Sequence, residues 1–227
     1  FFAPAFWQQT LADILDQAED YGRSQEGQGT KVHVEYVSAN PTGPLHIGHA
    51  RGAAVGDSLS RILRAAGYEV STEYYLNDAG RQMTLLGRSI WARYRQVCGD
   101  AVEVPENGYK GSYILDLARE LRETQGDRLL STEEDEAVAT CRKWGVERIL
   151  SGIKADLEMF RVEHQIWFSE QSLVQSEAVD RTLQDLQAWG LAYEQEGALW
   201  FASTRFGDDK DRVLRKSDGE LTYFASD

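Results

Sequence analysis

The sequence predicts an α/β fold in which a parallel sheet is interrupted by a mostly helical insertion. Three observations predict it. An alternating, β-branched run is followed by a Pro–Gly loop and a long helical period; a second strand-then-helix pair comes directly after; and the middle of the chain changes to helical periodicity.

Residues 6–21 place Phe6, Leu11, Ile14, Leu15 and Ala18 at roughly helical spacing among acidic residues, which predicts a first helix. The polar stretch 22–30, with three glycines, reads as a flexible linker, so residues 1–30 form a lead-in to the main domain. Residues 31–38 alternate, with Val32, Val34 and Tyr36 on one face and His33, Glu35 and Val37 on the other. Ala39-Asn40-Pro41-Thr42-Gly43-Pro44 continues neither helix nor strand. A helix is expected from about His46 to Gly67, through Ala50, Ala53, Leu59, Ile62 and Leu63, with Gly67 placed to end it. Residues 68–76 then read as a second strand and 79–97 as a second helix. Strand, helix, strand in this order is a βαβ unit, which favours parallel pairing, and residues 31–98 are expected to form the first half of the core. Ligands of such sheets collect beyond the carboxyl ends of the strands, where residues 40–49 lie.

Residues 99–207 read as the insertion. Helical patterns fall at 112–124, 132–160 and 177–189, the long one preceded by Ser131-Thr132-Glu133-Glu134, a capping-box pattern. Strand-like pieces fall at 162–168 and 199–202. Residues 208–227 read as a return to the core, with alternation over 212–223 around the hairpin-turn signal Ser217-Asp218-Gly219.

Composition narrows the class. A chain of 227 residues, 42% hydrophobic and 27% charged, is ordinary for a globular protein. No apolar run approaches the ~20 residues that span a bilayer, and no signal-peptide pattern opens the chain. Phe1-Phe2-Ala3-Pro4 reads as the start of a trimmed piece. Cys98 and Cys141 stand far apart, with no histidine of the four near either, so no metal site is expected and a reducing, intracellular setting fits. A net charge of -13 argues against a general nucleic-acid surface, though local basic patches remain compatible with a nucleic-acid partner.

The chemically informative string is Asn40-Pro41-Thr42-Gly43-Pro44-Leu45-His46-Ile47-Gly48-His49. Two imidazoles three positions apart at a helix start face the same way. The helix N-terminus supplies free amides and a positive dipole end, suited to phosphate. Gly43 and Gly48 carry no side chain where a nucleotide would approach. A lone His-x-x-His is more often coincidence or metal ligation; its position behind a strand and a Pro–Gly loop favours nucleotide chemistry and stabilisation of developing negative charge.

His46-Ile47-Gly48-His49 resembles the signature of class I aminoacyl-tRNA synthetases. The wider run Val34–Leu45, the run Leu76-Asn77-Asp78-Ala79-Gly80-Arg81-Gln82, and Asp208–Val213 leading to Leu221–Asp227 resemble bacterial arginyl-tRNA synthetases in particular. The resemblance implies the Rossmann-like core of class I synthetases, ATP as substrate with Mg2+, no permanently bound cofactor, and L-arginine and its tRNA as partners. It also implies a cytoplasmic, monomeric enzyme with no membrane association. By carry-over, His46 and His49 would be catalytic; Thr42, Gly43, His46, Gly48 and His49 would bind ATP; and Glu35, Asn40, Tyr223 and Asp227 would bind arginine. A guanidinium is a planar fork of donors and requires such acceptors. Each has an ordinary alternative: Asn40 as a turn former, Glu35 as a solvated strand residue, Tyr223 as core packing, Asp227 as a loosely fixed terminus. Asn77, Asp78 and Gln82 stand where helix caps are common. Arg215-Lys216-Ser217 only faintly resembles the second class I signature and reads as exposed strand and turn. The chain is therefore expected to be an incomplete catalytic region, inactive by itself. The rivals are a small nucleotidyltransferase of the same superfamily and a non-catalytic relative, against which the intact histidine pair and the Asp208–Asp227 block argue.

Overall fold

The computed structural model describes residues 2–226. In chain order the elements are α1 (Pro4–Gln17), β1 (Lys31–Glu35), α2 (Ile47–Ala65), β2 (Glu69–Leu76), α3 (Gly80–Cys98), α4 (Ser112–Gln125), α5 (Glu134–Met159), β3 (Ile166–Ser169), α6 (Glu170–Gln175), α7 (Ala178–Ala188), β4 (Ala192–Gln195), β5 (Ala198–Phe201), β6 (Arg212–Arg215) and α8 (Tyr223–Ser226). They gather into two compact units: one of Phe1–Ala39, Pro44–Tyr74 and Ser151–Trp167, the other of Asn40–Gly43, Tyr75–Leu150 and Phe168–Asp227.

In the first unit β1 and β2 pair in parallel, Lys31 opposite Glu69 through Glu35 opposite Glu73, as the βαβ pattern requires. β2 alternates between buried and half-buried positions, with Val70, Thr72, Tyr74 and Leu76 inward. β1 is shorter than its alternation suggests. Val37 and Ser38 adopt φ values of 69° and 42°, a bend that extended pairing cannot follow. α2 lies close against this end of β1: a Cβ on the buried Gly56 would come within 2.2 Å of the Tyr36 ring, so only glycine fits there.

The expected flexible linker is instead a strap. The amides of Ser24, Gly27 and Gly29 donate to the carbonyls of Ala65, Ala66 and Gly67 at 2.9, 2.8 and 2.9 Å. These are carbonyls at the C-terminal end of α2 that have no partner within the helix. α1 begins at Pro4, whose fixed φ suits a first helical turn. None of its residues is buried, and Phe6, Trp7, Leu11 and Leu15 are all exposed.

Residues 99–207, expected as the insertion, contribute to both units. α5, 26 residues and so about 39 Å long, carries the chain back, and Ser151–Trp167 belongs to the first unit. β3 then completes a sheet of order β1-β2-β3. The strand signal at 162–168 thus marks a core strand, shortened to Ile166–Ser169.

In the second unit α3, α4 and α5 share a core. Met83, Leu86, Ile90 and Tyr94 are buried with Ile114, Ala118 and Leu121, and with Ala137, Val138 and Cys141. A smaller antiparallel sheet of order β4-β5-β6 packs on α7 around Val179, Leu183, Ala192, Leu199 and Leu214. The turn at 217–219 forms, closed by the Lys216 amide to the Glu220 carbonyl at 2.8 Å. The expected hairpin does not extend to Tyr223, however. Its second arm makes a single bridge, Leu221 to Arg215, before the Thr222 hydroxyl turns to the Val213 carbonyl at 2.7 Å and α8 begins.

Candidate active site

In the first unit His46 caps α2 with its ring. Its Nδ1 accepts the Gly48 amide at 3.1 Å, while its own amide donates to Nδ1 of His49 at 3.3 Å. This is a reciprocal capping box made from two imidazoles. The arrangement stacks the rings, with centroids 3.7 Å apart and planes inclined by 20°. Because both Nδ1 atoms accept from the main chain, each neutral ring carries its proton on Nε2, a donor available to a ligand. His49 protonates less readily than a free imidazole, through burial first and the neighbouring His46 second. A Cβ on Gly48 would sit 2.9 Å from Cε1 of His46, so this glycine leaves room for the capping ring itself.

Glu35 ends β1 and is exposed. His33 is structural, 2.9 Å from the Ser71 hydroxyl and 3.5 Å from the Glu73 carboxylate. So is His164, whose Nε2 meets the Tyr36 carbonyl at 3.2 Å and whose ring lies 4.3 Å from that of Tyr36.

In the second unit Nδ2 of Asn40 donates to Oε1 of Gln82 at 2.7 Å, which leaves the Asn40 oxygen as its acceptor face. The Tyr113 hydroxyl donates to the Thr42 carbonyl at 2.8 Å, and a Cβ on Gly43 would stand 3.1 Å from that hydroxyl. Gly43, like Gly48, therefore makes room for a protein side chain.

Gln82 lines a cavity of about 560 Å³ together with Asn77, Glu170, Thr222 and Tyr223. Glu170 is only 8% exposed, and among the described residues its Oε2 has no hydrogen-bond partner. A buried carboxylate oxygen without a partner is costly, and Arg81 and Lys216 line the same cavity. Asp78 fixes the chain on either side of it, accepting the Ser169 hydroxyl at 2.6 Å and the Gln171 amide at 2.9 Å. The capping alternative for Asn77 and Asp78 does not hold: the N-cap of α3 is Ala79, with no side-chain bond. Lys216 pairs with Glu220 across the turn at 2.9 Å, as an exposed turn residue should.

The expected site residues thus divide. Glu35, His46, Gly48 and His49 belong to the first unit; Asn40, Thr42, Gly43 and Tyr223 belong to the second. Tyr223 is exposed at the start of α8, on the cavity wall. Asp227 lies outside the described residues. Sequence reasoning missed Glu170 and Tyr113. A carboxylate directly after the apolar run Ile166-Trp167-Phe168 was the available signal for the first; Tyr113 left none.

The sequence pattern of the family described as tRNA synthetases class I (R), catalytic domain, matches residues 10–227. The chain belongs to this family. It is 58% identical over 226 residues to the arginine–tRNA ligase of Solidesulfovibrio magneticus, covering all of this chain and 41% of that protein. A Campylobacter jejuni structure described as an arginyl-tRNA synthetase superposes with a TM-score of 0.87 at 41% identity, covering 99% of this chain and 49% of that one. The Thermus thermophilus arginyl-tRNA synthetase shares the fold, with a TM-score of 0.64 at 24% identity over 94% of this chain and 37% of that one. The chain thus spans about two fifths of the length of the curated relatives it matches. No helix among its described residues is long and apolar enough to cross a membrane.

Proposed function

We propose that the full-length protein is an arginine–tRNA ligase whose arginine site includes the Glu170 cavity. The observation that carries the substrate assignment is the unpartnered Oε2 of the buried Glu170 on the wall of that cavity. A guanidinium is permanently charged and weakly hydrated, so it enters such a site more readily than an ammonium and supplies the donors the carboxylate lacks. Tyr223 on the same wall, and Asp227, are further acceptors for the guanidinium. Asn40, its amide nitrogen used by Gln82, offers oxygen to the ammonium end of the substrate, with Glu35 as a second acceptor.

In the reaction the arginine carboxylate oxygen attacks the α-phosphorus of ATP, and pyrophosphate leaves with its electron pair. A hydroxyl of the 3′-terminal adenosine of tRNA(Arg) then attacks the carbonyl carbon, and AMP leaves. Mg2+ accompanies ATP as a counter-ion on the phosphates. His46 and His49 donate from Nε2 to the phosphate oxygens as charge develops. Donors that meet charge developing on the phosphate oxygens are worth more in the transition state than in the ground state. Thr42 and Gly43 contribute main chain near the phosphates, and Gly48 lies against the nucleotide. The enzyme is read as a cytoplasmic monomer with no membrane association and no resident cofactor.

The test is ATP–pyrophosphate exchange by the full-length protein with tRNA present, across a panel of amino acids. Exchange that requires arginine supports the reading. Exchange driven by another amino acid, or nucleotidyl transfer without tRNA charging, overturns it.

A further inference from the structure

We infer that Tyr74 is a positioning residue for Asn40: its buried hydroxyl fixes the peptide plane from which that side chain projects. Tyr74 is fully buried in β2, its ring stacked on Trp167 at 4.5 Å. Its oxygen accepts the Ala39 amide at 3.1 Å and donates to the Ala39 carbonyl at 2.9 Å. One hydroxyl thus closes both hydrogen-bonding groups of a single buried residue. Burial pushes the phenol up to about 12, so the proton is always present to be donated.

The Ala39 carbonyl and the Asn40 nitrogen belong to one rigid peptide plane. Holding the carbonyl therefore fixes the orientation from which the Asn40 side chain leaves the main chain. The fixing is needed because the two residues before Ala39 are strained. Val37 and Ser38 have φ values of 69° and 42°, and a β-branched residue rarely adopts such a conformation. A bend of that kind persists only where its surroundings hold it. At its far end Asn40 is also held, by Gln82 at 2.7 Å. The side chain is fixed at its root through Tyr74 and at its tip by Gln82, and its oxygen remains for substrate.

This inference rests on the reading of Asn40 as an arginine contact, and the experiment separates the two. In the full-length protein, Tyr74→Phe removes the hydroxyl and keeps the stacked ring. Exchange kinetics with arginine and ATP varied separately are measured for Tyr74→Phe, Asn40→Ala and the double variant. KM is independent of the fraction of enzyme folded, so a partial loss of stability does not obscure it. The expected result is a rise in the arginine KM of about tenfold for Tyr74→Phe with the ATP KM unchanged. Adding Tyr74→Phe to Asn40→Ala should change it less than about twofold further, because residues acting as one unit are not additive. Equal effects on both substrates, or full additivity, would overturn the positioning role and leave Asn40 as a substrate contact. An unchanged arginine KM in Asn40→Ala would overturn both.

Discussion

The histidine turn of the first unit and the carboxylate cavity of the second solve opposite problems. His46 and His49 are satisfied by their own helix: each Nδ1 has a main-chain partner two or three residues away in sequence. Glu170 is buried with one oxygen unsatisfied, and its neighbours in the cavity come from three separate stretches of chain, 77–82, 170–179 and 216–223. A locally satisfied site is stable whether or not ligand is present. An unsatisfied one is a standing cost, which a ligand bringing donors would relieve.

The sharpest way to break this contrast is Glu170→Gln. It removes a buried charge and keeps the shape, so the unliganded protein should gain about 1 kcal/mol of stability. At the same time its arginine KM should rise on the order of a hundredfold, as for a buried charge that loses its partner. Thermal melts and exchange kinetics measure the two effects. If stability and arginine affinity fall together, Glu170 is a structural residue.

His46→Asn comes next. Asparagine is a good N-cap, so α2 and the melting temperature should be preserved while the phosphate donor is lost. The expected loss in exchange rate is about a hundredfold, the lower end of the range for one charge-stabilising donor. Retained activity would reduce His46 to a cap. Tyr113→Phe is a smaller change: the lost bond to Thr42 should cost about 1 kcal/mol in chemical denaturation.

The smallest expected effect is on pH. His49 and His164 are both held below the ordinary imidazole value of 6.5, with burial the largest cause in each. Folding penalises their charged forms, so the unfolded chain takes up protons first as pH falls. The stability they contribute is full above about 6.5 and is lost as pH drops through their lower folded values. His164→Gln should flatten the fall in melting temperature between about pH 7 and pH 5 by a few degrees. An unchanged slope would show that His164 does not set it.

Much of the fold was legible because its signals are local. The Val32–Tyr36 alternation, the loop at Pro41 and Pro44, and the period running to Gly67 gave β1, α2 and β2 within a few residues, since each depends on backbone geometry and a single buried face. The histidine pair was legible for the same reason. The ends of elements were less so. β1 stops at Glu35 because Val37 and Ser38 bend, and the alternation up to Tyr223 breaks because the Thr222 hydroxyl finds Val213.

What the sequence by itself determined is the parallel βαβ core, the helices of the middle region and the imidazole turn at the start of α2. Only the tertiary structure decided that β3 joins the first sheet, that residues 22–30 strap the end of α2, and that Glu170 is buried without a partner. Periodicity records which face of an element is apolar; it does not record which distant element covers that face, and whether a carboxylate is satisfied depends on that covering alone.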